Sequence, residues 1–264
     1  MGETGITDHN MLDLRLEHPS LVIHKHAPHE ETRMGADWEW WLGTADGWIC
    51  LVFQAKVLDV AGRYPGITKG MAQGKPQIQA LVRTCLARSE KLAGTVWPLY
   101  CFYNSWSGKW PDGVSRYDAS DPRTMSDRDL QLFGCAAADA WMVGSILADK
   151  NYKNRHTLRD TYLPVSRPWS LIFPEPSESE TYSAAQTLMA LSSWTYGQAP
   201  MELPPPRDQM RPPNMLQRRR RMAIYENPAP VRRPPDYVLD LMKGTPGRPR
   251  RLKPLARRII VLPE

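Results

Sequence analysis

Asp37, Glu39, Gln54 and Lys56 are the side chains whose types and spacing suit metal-assisted chemistry. They lie in two stretches, ADWEWWLG and GWICLVFQAKVLDV, that read as strands joined by Thr44, Ala45, Asp46 and Gly47 as a hairpin loop. Side chains alternate across a strand, so Asp37, Glu39 and Trp41 share one face, and Cys50, Val52, Gln54 and Lys56 share one on the second strand. If Gly43 pairs with Trp48, Asp37 falls opposite Gln54, and Asp37, Glu39, Gln54 and Lys56 cluster on one side. A slip of one residue puts Asp37 opposite Phe53 and disperses the cluster, so the register is a structural test of the chemistry. Lys56 closes an apolar run, and burying a lysine is costly unless oxygen-rich groups surround it.

Such a set suits a hard cation. Mg²⁺ takes oxygen ligands at about 2.1 Å, typically one or two carboxylates completed by water and substrate phosphate. Asp37 offers a carboxylate, Gln54 a neutral side-chain oxygen and Ala55 its backbone carbonyl. Lys56 beside the cation would position or deprotonate the attacking water, or stabilise a charged phosphorane. The plainer alternative is an Asp37–Lys56 ion pair at a strand end.

These residues need a frame to hold them. Thr7 reads as the N-cap of a helix over 8–18 that Pro19 stops, and SLVIHKH follows as a strand from Leu21 to Lys25. After the hairpin comes a glycine-rich loop, AGRYPGITKGMAQGK. QIQALVRTCLARSEKL then carries Ile78, Leu81, Val82, Cys85 and Leu86 at helical spacing, with Pro76 in its first turn. WPLYCFYNS reads as a buried strand. The order α, β, β, β, α, β predicts an α/β fold, a mixed sheet flanked by helices. Beyond residue 105 a polar, turn-rich segment runs to about Asp129. Helices are expected at FGCAAADAWMVGSILAD and SAAQTLMALSSWTYG.

Charge divides the chain unevenly. Residues 201–264 hold 15 Lys and Arg against 6 Asp and Glu, with 13 of the 25 prolines, whereas residues 1–200 carry a small negative excess. Proline removes backbone donors and clustered arginine repels itself, so a boundary near 200 is expected, with a basic, partly disordered tail behind it. Ile224, Tyr225, Tyr237, Val238, Leu239, Leu241 and Met242 are apolar enough to dock short pieces of that tail. Arg218, Arg219, Arg220 and Arg221 are candidate nucleic-acid contacts, and GRPRR near 247 could enter a minor groove; a solvated tail or a protein-binding segment is the alternative. No apolar run reaches 18 residues and the first residues lack a signal-peptide layout, so a soluble, cytoplasmic protein is expected.

Other candidates divide the same way. Trp38, Trp40, Trp41 and Trp48 could stack on unpaired bases, although strand aromatics usually pack in a core. His24, His26 and His29 lack a metal-binding spacing and read as surface residues. Gln77 and Gln79 open the second helix where they could meet nucleic acid or simply solvate its start. Asp139 is a polar spot on a close-packed helix or a residue behind the site. Cys50, Cys85, Cys101 and Cys135, flanked by apolar residues, read as reduced core thiols.

The strand–turn–strand with an acidic residue on the first strand and QAK on the second resembles the PD-(D/E)XK nuclease superfamily, restriction-endonuclease-like α-β-β-β-α-β proteins. GETGITDHNMLDLRLEHP, EETRMGADWEWWLG, FQAK, PLYCFYNS and FGCAAADAWMVGSI resemble, more closely, a bacterial family of unknown function, DUF6615, over roughly residues 1–200. The resemblance implies Mg²⁺- or Mn²⁺-dependent phosphodiester hydrolysis, of DNA in preference to RNA, in bacterial defence or DNA processing. It implies Asp37 as metal ligand, Gln54 in the place of the usual carboxylate, Lys56 as catalytic lysine and Glu3 as the first-helix glutamate. The usual proline is Ala36 here, and Glu3, Glu31 or Glu39 could supply the charge that Gln54 lacks, in the preference Glu3 and then Glu39. A homodimer or a partner protein is compatible with the resemblance, a membrane is not expected, and the competing class is a weakened nuclease fold that binds nucleic acid or protein without cutting.

Overall fold

The computed structural model describes residues 3–25, 35–71, 76–104, 133–149, 151, 155–172, 183–195, 223–244, 254–256 and 258–263. The chain runs α1 (Glu3–Glu17), β1 (Val22–Lys25), β2 (Trp38–Thr44), β3 (Gly47–Val57), α2 (Gln77–Leu92) and β4 (Val96–Tyr103). There follow β5 (Cys135–Asp139), α3 (Ala140–Ala148), β6 (Arg167–Pro168), α4 (Ala184–Thr195), α5 (Asp236–Met242) and β7 (Arg258–Leu262). The strands form one seven-stranded mixed sheet in the order β1-β7-β2-β3-β4-β5-β6. The fold is α/β, and its first six elements keep the expected order.

The centre of the sheet is β3, antiparallel to β2 and parallel to β4. Residues Cys50 to Lys56 are all buried, as expected of a strand with partners on both edges and cover on both faces. α2 makes the crossover from β3 to β4, burying Ile78, Leu81, Val82, Cys85 and Leu86, and ends at Ala93 in the left-handed conformation. On the other face Trp38, Phe53 and Trp169 stack at ring separations of 5.1–5.8 Å. Trp38 and Trp41 are fully buried and Trp40 nearly so, which makes these rings core and removes them from base stacking.

Three expectations are corrected. α1 begins at Glu3, so Thr7 is not its cap; its hydroxyl lies inside the helix, 3.0 Å from the Tyr103 hydroxyl on β4. The Ala-rich stretch expected to be one helix starts as β5, because it lies beside β4 and takes up that strand's free edge, Cys101 pairing with Ala137. Asp139 then turns the chain into α3, accepting the N–H groups of Trp141 (2.7 Å) and Met142 (3.3 Å).

The third correction concerns the division at residue 200. β7 sits inside the sheet, antiparallel to β1 and parallel to β2. Val231 exchanges two backbone hydrogen bonds of 2.8 Å with Trp48, and the Tyr225 hydroxyl donates to the Val96 carbonyl at 2.9 Å. The apolar run Ile259–Ile260–Val261 is buried and fills a slot whose backbone groups would otherwise be unpaired. Proline and arginine content had masked this short β-branched signal. Arg218 to Arg221 and the whole of GRPRR lie outside the described residues. Among the described residues, no helix is long and apolar enough to cross a membrane.

Candidate active site

Gly43 pairs with Trp48 and Trp38 with Phe53, the register that brings Asp37 opposite Gln54. Thr44 also pairs with Gly47, so Ala45 and Asp46 alone form the turn. Asp37 precedes β2, and its N–H donates to the Phe53 carbonyl at 2.8 Å. Its half-buried carboxylate accepts the Ala55 N–H at 2.7 Å and a hydrogen bond from Gln54 Nε2. Gln54 Nε2 also donates to the Ala55 carbonyl at 3.2 Å. The other end of this amide, Gln54 Oε1, is buried and has no hydrogen-bond partner among the described residues.

Lys56 is 4% exposed, and its ammonium donates to Gln77 Oε1 at 3.3 Å. Gln77 opens α2 and takes its place from two features the sequence reading passed over. Gly35 has φ +74°, and a Cβ there would stand 2.9 Å from the Gln77 carbonyl and 3.2 Å from its Cγ. Only glycine allows the chain leading to Asp37 to pass so close to the start of α2. The loop after β3 returns to the same place, where a Cβ on Gly66 would lie 3.9 Å from Lys56 Nζ. The signals were the glycines of MGAD and YPGITKG, which mark close backbone approach.

Not every candidate joins the cluster. Glu39 shares the face of Asp37 but is fully buried, and its carboxylate accepts the Tyr237 hydroxyl at 2.8 Å and the Leu255 N–H at 3.1 Å. Burial pushes its pKa up to about 7, against the lowering effects of the Tyr237 hydrogen bond and the Arg88 charge. The expectation that Glu39 completes a metal shell is therefore corrected: it ties α5 and the approach to β7 onto the sheet. Asp139 is likewise a cap, held also by Trp97 Nε1 at 2.8 Å, with its pKa raised to about 6 by burial. Glu3 lies one helical turn before Thr7; its side chain, Glu31, His26 and His29 are outside the described residues. Gln79 accepts from Arg83 at 2.9 Å on α2 itself. The cysteines are free thiols, with Cys101 and Cys135 sharing an S–H···S hydrogen bond at 3.5 Å.

Three oxygens thus meet at the end of β3: the Asp37 carboxylate, the Ala55 carbonyl and, on turning one amide, Gln54 Oε1. In the structure the Gln54 NH₂ bridges the first two, and the oxygen left orphaned is the one a cation would satisfy. This donor set fits Mg²⁺ or Mn²⁺. Among the described residues, no group of three or more His, Cys, Asp or Glu side chains gathers to hold a metal.

No curated protein and no solved structure matches the chain. A family described as "Family of unknown function (DUF6615)" matches residues 1–263, carrying the similarity through the C-terminal segment as well. The chain belongs to this DUF6615 family.

Proposed function

We propose that the protein is a metal-dependent nuclease of the PD-(D/E)XK kind, hydrolysing phosphodiester bonds of DNA in preference to RNA, in bacterial defence or DNA processing. The observation that carries this reading is the Gln54 amide, whose Nε2 bridges the Asp37 carboxylate and the Ala55 carbonyl while its Oε1 is left buried and unpartnered among the described residues, two residues along β3 from a lysine held by Gln77. The order of the first six elements and the strand register agree with it.

Asp37, Gln54 and the Ala55 carbonyl would hold Mg²⁺ or Mn²⁺, which supplies charge neutralisation at a phosphoryl oxygen and an acidified water when bound. Lys56 then faces the substrate side of the oxygen cluster. Its ammonium, oriented by Gln77, stabilises the negative charge that grows on the phosphoryl oxygens as water attacks phosphorus and the bond to the leaving oxygen breaks. Burial of Lys56 strengthens that interaction, because less water competes for it.

A second reading, a nuclease fold that binds nucleic acid or a protein without cutting, draws on the replacement of a carboxylate by the Gln54 amide and on the absence of an acidic triad among the described residues. Cleavage of supercoiled plasmid, single-stranded DNA and RNA with Mg²⁺ or Mn²⁺, comparing wild type with Lys56→Ala and Asp37→Ala, separates the two. The nuclease reading expects cutting by wild type and loss in both folded variants; no cutting of any substrate under either metal rejects it.

A further inference from the structure

We infer that the nucleic-acid backbone is gripped by a clamped basic rail beside Lys56, formed by Arg63 and Lys69 of the loop between β3 and α2 and by Arg155 of the segment docked on that loop. The inference rests on the nuclease reading for its substrate class and on the structure for its location. All three side chains are exposed.

Among its described residues, 58–71, the loop carries no helix or strand of the sheet, yet it is held at several points. Tyr64 and Ile67 are 1% and 2% exposed and plug it into the body. The Tyr64 ring packs 4.7 Å from Phe102, the β4 residue in register with Lys56, and 6.0 Å from Tyr162. Asp59 Oδ1 accepts the N–H groups of Ala61 and Arg63, both at 2.9 Å, which fixes the turn ahead of Arg63. Two backbone bonds, Tyr64 N–H to Thr157 at 2.7 Å and Arg159 N–H to Gly62 at 3.1 Å, join the loop to residues 155–159. The Lys69 carbonyl accepts the Gln77 N–H at 3.1 Å, which ties Lys69 to the residue that orients Lys56.

The chemistry follows from this placement. Two nearby carboxylates are already engaged, Asp59 within its turn and Asp160 with Arg159 at 3.1 Å. Cations on a pre-ordered loop grip a polyanion without the entropy cost of ordering that loop on binding. Gly66 of the same loop lies against Lys56, so cations carried on this loop and on the segment docked to it would hold a phosphodiester chain close to the place where it is to be cut. Guanidinium and ammonium contacts to phosphate position a duplex without reading its sequence.

The test is binding of a short fluorescent DNA duplex in EDTA across a salt series, comparing the full-length wild type with Arg63→Gln/Lys69→Gln/Arg155→Gln. Each lost phosphate contact removes roughly 0.9 from the slope of log affinity against log salt, about 2.7 for three. Between about 50 and 200 mM salt the wild type should lose about 40-fold more affinity than the triple variant. The single variants, each expected to remove about one third of that slope, guard against a folding defect in the triple. Unchanged slope in the triple variant overturns the rail, as does a slope that moves only when Arg218 to Arg221 are replaced. A wild type that binds with this three-residue slope but cuts nothing supports the rail and rejects the nuclease reading alone.

Discussion

The Asp37 carboxylate accepts the Ala55 N–H at 2.7 Å, so a residue just ahead of β2 is fixed to the strand position between Gln54 and Lys56. Asp37 thereby has two separable roles, one as acceptor and one as charge. Asp37→Asn keeps an acceptor and removes the charge, and it should fold as wild type while losing Mn²⁺ binding. Asp37→Ala should also cost about 1–3 kcal/mol of stability, since the buried Ala55 N–H is left without its acceptor. Calorimetric Mn²⁺ titration and urea unfolding of both variants read the two roles; wild-type Mn²⁺ affinity in both would remove Asp37 from the metal site.

Gln54 is the residue that departs from a carboxylate pattern, and its amide bridges two oxygens. Gln54→Glu removes that bridge and sets a second carboxylate beside Asp37, where like charges repel. The variant should melt below wild type in EDTA and gain more from Mg²⁺, with metal affinity higher by about tenfold. Thermal melts with and without Mg²⁺ give the answer. Equal Mg²⁺ effects on the two proteins would mean that position 54 does not face the cation.

The hydrogen bond from Lys56 to Gln77 changes what is expected of Gln77, which the sequence offered either as a nucleic-acid contact or as solvation of the start of α2. Gln77→Met should lower kcat with KM nearly unchanged, because the lysine is misplaced while substrate contacts persist. Gln77→Glu restores an acceptor and should recover much of the rate. A raised KM with unchanged kcat would instead make Gln77 a substrate contact.

Much of this arrangement was legible because strand alternation and the length of the hairpin fix which side chains share a face. Asp37, Gln54 and Lys56 needed only the Gly43–Trp48 pairing to meet. What was not legible depends on chain segments distant in sequence. Nothing near Glu39 shows that Tyr237 and Leu255 will claim its carboxylate. Nothing in the proline-rich composition shows that Ile259 to Val261 will enter the sheet beside β2. The Ala-rich run to Asp139 is helical by propensity, and only the open edge of β4 makes its first half a strand.

Asp46 is a further long-range link. It occupies the hairpin turn and caps α4, accepting the N–H groups of Ala184 (2.8 Å) and Ala185 (3.0 Å) and the Ser183 hydroxyl (2.8 Å). Although burial works the other way, the hydrogen bonds from Thr44, Ala185, Ala184 and Ser183 hold its carboxyl below the usual range. Asp46→Ala should cost about 1 kcal/mol, the usual worth of an N-cap, and Asp46→Asn less. Equal melting temperatures for wild type and Asp46→Ala would show that this cap adds nothing to stability.

Glu39 gives the fold a pH dependence of definite sign. Its folded pKa of about 7 lies above the ordinary 4.5 because burial disfavours the charged form. A carboxyl whose pKa is raised on folding stabilises the fold fully below pH 4.5, and that contribution is lost as pH rises through 7. The span corresponds to about 3 kcal/mol. Asp139, raised to about 6, acts in the same direction over a lower window, so Glu39 accounts for part of the whole slope. Glu39→Gln stays neutral at every pH and keeps one oxygen for the Leu255 N–H, with its NH₂ donating to the Tyr237 hydroxyl oxygen. Urea unfolding between pH 4.5 and 7.5 should therefore show wild-type stability falling with pH and the variant falling less. Parallel curves would mean that Glu39 is ionised throughout this range, held by Arg88, and that the C-terminal segment is fastened by a buried ion pair rather than by a neutral acid.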